Sequence, residues 1–280
     1  MSTPRSSTHR SPTDTQRPTT SSGGGFSYEG VLVGVPTYNE RENVTRLVTA
    51  LRENLPGATI LVVDDGSPDG TGDLAAEMAR SDPLVHLLRR PRKMGLGTAY
   101  VAVFDHARSI GARIAMTMDA DFSHRPQDTP AVVRAALRPG VDLAIGSRYV
   151  PGGDIVGWPQ SRKVLSAIAN RLIRASLRTS THDCTASFRA YSMELIDRLD
   201  FSKLESTGYS ALPELLLLID GVGATIVEVP ITFVERERGA TKLTKRELAK
   251  SLANVVRMRR RRVARSRAQR RAGAAGKGAR

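Results

Sequence analysis

A chain of 280 residues with 40% hydrophobic residues can fill one large core or two small ones, which excludes a wholly disordered protein. Its single cysteine, Cys184, excludes an intramolecular disulfide framework and a cysteine-based zinc cage, and reads as a small buried residue in a reduced, cytosolic setting. The formal net charge of +14 is unevenly placed, because residues 251–280 carry 11 basic groups and no acid while the other 250 residues carry 31 basic and 28 acidic groups. A nearly neutral body argues against nucleic acid as the partner, and leaves the tail as a phosphate-seeking or solvated end.

Residues 1–25 are rich in Ser, Thr, Pro and Gly without an apolar run, so neither a signal peptide nor stable structure is expected there. The folded body is expected over 26–250 and a basic tail over 251–280. The run 31–36 (VLVGVP) reads as a buried strand, and 41–54 as a helix with Val44, Leu47, Val48 and Leu51 on one face. Strands follow at 59–64, 84–88, 113–118 and 141–146, with helices at 69–80, 95–108 and 128–137 between them. Apolar strands alternating with helices imply a mostly parallel sheet covered on both faces, with ligands at the carboxyl ends of its strands.

Beyond Pro159 the pattern changes. Residues 160–178 read as an amphipathic helix, apolar on one side and basic on the other, suited to a membrane interface; 210–219 reads as a short apolar helix that packs on the sheet or lies beside it. Residues 187–192 (SFRAYS) alternate like a half-exposed strand; 225–229 and 231–234 read as strands around Pro230, and 245–262 as a helix. The apolar stretch 211–234 is broken by Glu214, Asp220, Glu228 and Pro230, so it falls short of the roughly 18 uncharged residues a membrane span needs.

The chemistry gathers at the strand ends. After the first strand comes Pro36-Thr37-Tyr38-Asn39-Glu40, with no glycine-rich dinucleotide turn; Tyr38 offers a face for a base and Glu40 acceptors for a base or ribose. After the second come Asp64, Asp65, Ser67 and Asp69, oxygen-bearing groups that suit ribose hydroxyls or an ordinary turn. The fourth strand ends in Asp119-Ala120-Asp121-Phe122-Ser123-His124. Two carboxylates at roughly 5 Å and an effective dielectric near 20 repel by about 3 kcal/mol, which a hard divalent cation, Mg²⁺ or Mn²⁺, would relieve. His124 reads as a packing or supporting residue. Arg148, at the end of the fifth strand, points at the same rim, and Arg236, Arg238 and Lys242 form a basic loop beside Gly239, fitted to close over a diphosphate.

The segments PTYNERENV, VVDDGSPDGT, GLGTAY, MDADFSH, GSRY, GWPQSRK, DCTASFR and EVPITFVERERGATKL, in that order over 31–243, resemble dolichol-phosphate mannose synthases, family 2 inverting glycosyltransferases of the GT-A fold. The resemblance implies the following sites. Pro36, Tyr38, Glu40, Val62 and Asp64 hold the nucleotide of GDP-mannose. Asp119, Ala120 and Asp121 bind donor and metal, with Ser123 as a further, water-mediated ligand. Arg148 binds phosphate, Arg162 and Ser166 contact the acceptor phosphate, and Arg236 and Lys242 hold the donor diphosphate. The implied partner is a polyprenyl phosphate in the bilayer. The enzyme would sit peripherally on the cytoplasmic face, alone or with a separate membrane protein. A polyprenyl-phosphate glucosyltransferase, or another family 2 glycosyltransferase with a sugar-hydroxyl acceptor, is the alternative within the class; a nucleic-acid-binding protein working through its tail is the alternative outside it.

Overall fold

In the computed structural model, residues 26–206, 208 and 210–235 are described. The segments 1–25 and 251–280, the expected helix 245–262, and Arg236, Arg238 and Lys242 lie outside them. Seven strands form the main sheet: β1 (Val31–Thr37), β2 (Thr59–Asp64), β3 (Val85–Arg89), β4 (Ile114–Thr117), β5 (Leu143–Ser147), β7 (Arg189–Ser192) and β8 (Ile226–Pro230), in the order β3-β2-β1-β4-β7-β5-β8. A parallel pair, β6 (Asp154–Val156) and β9 (Thr232–Val234), makes a second small sheet. The helices are α1 (Arg41–Asn54), α2 (Thr71–Ser81), α3 (Leu96–Ser109), α4 (Thr129–Ala136), α5 (Gln160–Leu177), α6 (Met193–Arg198) and α7 (Ala211–Gly221).

The two faces of the sheet bury two separate apolar clusters, as an α/β sheet wrapped on both sides requires. Val33, Val35, Ile60 and Val62 pack against Val44, Leu47 and Leu51 of α1 and Val132 of α4. Leu32, Leu61 and Val63, alternating with them along the strands, pack in the other layer with Val103 of α3, Ile173 of α5, Ile196 of α6 and Leu216 of α7. At Gly34 a Cβ would land on the methyl groups of Val103, so only glycine lets α3 lie this close to β1.

One expectation is corrected and one alternative is excluded. The segment ending in β7 is not half-exposed: β7 runs antiparallel between β4 and β5, and Arg189, Ala190 and Tyr191 are all fully buried. Its polar residues mislead, because Arg189 donates to the carbonyls of Leu212 and Cys184 inside the fold. Nor does α7 lie at a surface beside α5. Leu212, Leu215, Leu216 and Ile219 are at most 2% exposed, and Glu214 is buried while accepting from the backbone amides of Glu205 and Ser206. The strand β6 and helix α6 had no period long enough to read.

Candidate active site

Parallel pairing brings the chemistry to one rim. Thr37 at the end of β1 is level with Asp64 at the end of β2, and β4, the other neighbour of β1, ends at Thr117 opposite Gly34. Tyr38–Glu40, 64–69 and 119–124 therefore leave the same edge of the sheet. Because β7 opposes both β4 and β5, those two run in one direction, and Arg148 emerges at this rim as well.

Asp64 organises the loop that follows β2. Buried to 3% exposure, it accepts from Thr37 Oγ1 at 3.1 Å, Ser67 N at 3.1 Å and Ser67 Oγ at 2.5 Å, while Ser67 Oγ also accepts from Asn39 N at 3.0 Å. Asn39 can hold its left-handed φ of 59° because a short amide side chain tolerates that region. Glu40 accepts from Asn43 Nδ2 at 2.9 Å, and Lys93 lies over the Tyr38 ring at 4.9 Å. Val62 is not at the rim; its side chain is fully buried in the core two residues below Asp64. Pro36 is only partly buried at the end of β1.

Sequence reading gave no role to Arg90. Buried at 8% exposure, it is ion-paired with Asp65 and donates to Thr98 Oγ1 at 2.8 Å and to Gly95 O at 3.3 Å; Met94 N also reaches Asp65. This pair ties the loop carrying Lys93 to the end of β2.

At the centre, Asp119 is 37% exposed in its side chain and accepts from Ser187 Oγ at 2.8 Å. Asp121 is 8% exposed and accepts from the amide of Ser123 at 3.0 Å. Ala120 is buried between them, and Phe122 turns the chain at φ 60°. Ser123 is buried, with its carbonyl accepting from Val234 N. No group of three or more His, Cys, Asp or Glu side chains that could hold a metal occurs among the described residues. A cation here would thus take two hard carboxylates and complete its shell with water and substrate phosphate, a donor set that fits Mg²⁺ or Mn²⁺. His124 is a packing residue. Its ring stacks on Phe188 at 4.9 Å, with Nδ1 3.9 Å from Asp119, and burial with the nearby Arg148 charge pushes its pKa down to about 4.

Arg148 is held by Asp183, a residue the sequence placed in a motif without a role. Nε donates to Asp183 Oδ2 at 2.7 Å, and Nη2 donates to Oδ1 at 2.8 Å and to Thr185 Oγ1 at 2.9 Å. Burial works against both charges. The attraction between them overrides it, raising the affinity of the guanidinium for its proton and holding the Asp183 carboxyl below its usual range. The fork is thereby fixed, and its guanidinium also lies over the rings of Phe233 at 5.1 Å and Tyr149 at 5.3 Å. Asn170 of α5 donates to Thr185 Oγ1 at 3.2 Å and accepts from Cys184 N at 3.0 Å, which ties α5 to the same network. The Cys184 thiol, pushed up to about 12 mainly by burial, is inert packing. Arg162 stacks on Trp158 at 3.9 Å and donates to Glu235 at 2.7 Å, and Ser166 accepts from the Tyr149 hydroxyl at 2.7 Å.

The chain is 46% identical over 226 residues to the polyprenol monophosphomannose synthase of Mycolicibacterium smegmatis, covering 80% of this chain and 85% of that protein. It is 43% identical over 227 residues to the undecaprenyl-phosphate mannosyltransferase of Micrococcus luteus, covering 81% and 93%. Among solved structures, glucosyl-3-phosphoglycerate synthase from Mycobacterium tuberculosis with Mn²⁺, UDP and its product matches with a TM-score of 0.56 at 18% identity, covering 82% and 78%. A mannosyltransferase from Pyrobaculum calidifontis with GDP-Man and Mn²⁺ matches with a TM-score of 0.51 at 21% identity, covering 76% and 59%. These two likenesses bear on the fold, which is of the GT-A type. Residues 32–200 match the family described as Glycosyl transferase family 2, and the chain belongs to that family.

Proposed function

We propose that the protein transfers mannose from GDP-mannose to a polyprenyl monophosphate with inversion, giving a β-mannosyl phosphoryl polyprenol. The observation that carries this reading is the Asp119/Asp121 pair at the rim shared by the nucleotide-side loops and the buttressed Arg148. The likeness to the two bacterial mannosyltransferases supports the acceptor class and the transferred sugar, and the GDP donor is read from the sequence resemblance.

The nucleophile is a phosphate oxygen already ionised at neutral pH, so no strong general base is needed. The obstacle is an anion approaching an anionic donor. Arg148 meets it as a fixed guanidinium, and Arg162, with Ser166, meets the acceptor at the start of α5. Tyr38, Glu40 and the loop organised by Asp64 seat the nucleotide, and Arg236 and Lys242 screen the diphosphate. Asp119 and Asp121 would hold Mg²⁺ or Mn²⁺, which supplies charge neutralisation for the departing GDP. A single in-line displacement inverts the anomeric carbon.

No helix among the described residues is long and apolar enough to cross a membrane. In our reading the enzyme works peripherally at the cytoplasmic face, where exposed Val164, Leu165, Ile168 and Leu172 of α5 meet the bilayer. The test is transfer of labelled mannose into an organic-soluble, mild-acid-labile lipid, with GDP-mannose against UDP-glucose and with chelator against added Mg²⁺. Asp119→Asn is expected to lower turnover by about 10²–10³-fold at unchanged melting temperature. Preference for UDP-glucose, or full activity of Asp119→Asn, would overturn the reading.

A further inference from the structure

We propose that the cleft along the C-terminal half of α5 seats the phosphate of an anionic bilayer phospholipid. The proposal rests on the interfacial reading of α5. The cleft encloses about 620 Å³ and is lined by Tyr149, Asn170, Arg171, Arg174, Arg178 and His182 among others, but by neither Arg148 nor Asp119. It is thus separate from the groups proposed for the reacting phosphates.

Among the described residues the arginine charge in this cleft is uncompensated. Neighbouring basic side chains have partners, since Arg148 pairs with Asp183 and Arg162 with Glu235, and His182 Nδ1 lies 2.8 Å from Glu228. Among the described residues no carboxylate pairs with Arg171, Arg174 or Arg178. Arg171 and Arg174 lie about 60° of arc apart on the helix, where like charges repel, and Arg178 follows at the left-handed C-cap and lines the same cleft. The negative end of the helix dipole favours cations in the last turn only, and Arg171 stands almost two turns from the end. A phosphate shared by the three guanidinium groups resolves the repulsion with charge-assisted, bidentate bonds.

The occupant follows from the adjacent surface. Val164, Leu165, Ile168 and Leu172 are 44–56% exposed and fall within about 100° of arc beside the arginine stripe. An apolar strip next to a phosphate-binding strip matches the acyl and headgroup levels of one lipid.

The experiment floats the full-length protein with phosphatidylcholine vesicles made with and without phosphatidylglycerol. Replacing all three residues (Arg171→Lys, Arg174→Lys, Arg178→Lys) keeps the charge and removes the forks. Partitioning onto the anionic vesicles is expected to fall about tenfold, with binding to neutral vesicles unchanged. Wild-type partitioning by this variant would overturn the proposal, because charge alone would then suffice. So would vesicle binding kept with transfer to a short-chain polyprenyl phosphate lost, which would assign the cleft to the acceptor. A second variant (Leu165→Ser, Ile168→Ser, Leu172→Ser) tests the interface itself on neutral vesicles. Undiminished binding there refutes the interfacial reading separately from the headgroup site.

Discussion

In the proposed mechanism Asp183 does not meet substrate itself but fixes Arg148, the residue proposed to do so. The pair with Arg148 is buried, with side-chain exposures of 0% and 8%. Removing one partner of a buried pair leaves the other charge stranded, at a cost of about 3–5 kcal/mol. Asp183→Asn is therefore expected to lower unfolding free energy by that amount in urea titrations and to lower transfer activity. Combining Asp183→Leu with Arg148→Met is expected to restore much of the stability and none of the activity. Recovery of transfer by the double variant would show that Arg148 is structural only. Asp183 also limits acid stability. Its folded pKa lies below the unfolded carboxylate value, so its contribution is present above pH of about 4 and lost as pH falls through the folded value. Sequence pattern gave Arg148 its place because it follows a strand. It gave Asp183 none, because the contact spans 35 positions and no local period encodes it.

At the scale of elements, periodicity carried most of what was readable. The α1 stripe and the first two strands were legible because each buries a face that its own spacing announces. The insertion of β7 between β4 and β5, and the burial of α7, were not, since both depend on which distant neighbours cover them. Close approach of α3 to β1 is tested at Gly34. Gly34→Ala overpacks against Val103 and is expected to cost about 1–3 kcal/mol, with much of that regained by Val103→Ala in the same chain. Simple additivity of the two in denaturant titrations would show that the contact is not the cause. A second tie joins edge strand β3 to α3, where His86 Nδ1 and His106 Nε2 lie 2.8 Å apart. Partial burial, then the nearby His86, lower the His106 pKa. The unfolded chain therefore binds protons more readily, and stability present above pH of about 6.5 falls as the medium acidifies. His106→Leu is expected to flatten the decline of melting temperature between about pH 7 and pH 5, with buried His124 supplying what remains. An unchanged slope would remove the pair from the account.

In the proposed peripheral reading, attraction to a membrane has two further sources besides the arginine cleft, and salt can separate them. The first 250 residues are nearly neutral, whereas residues 251–280 carry 11 positive charges. Each basic side chain near an anionic surface contributes roughly 1 kcal/mol, and that contribution fades as the screening length shrinks to about 3 Å in molar salt. The exposed apolar strip of α5 acts by area removed from water and does not fade in this way. Deleting residues 257–280 is therefore expected to weaken partitioning onto anionic vesicles by more than about tenfold at low salt. At high salt the truncated and full-length proteins are expected to bind alike, and transfer to a soluble short-chain acceptor is expected to persist. Equal flotation of the two at low salt would deny the tail any part in docking. Loss of both at high salt would mean that α5 contributes too little apolar contact to hold the enzyme at the surface where its acceptor resides.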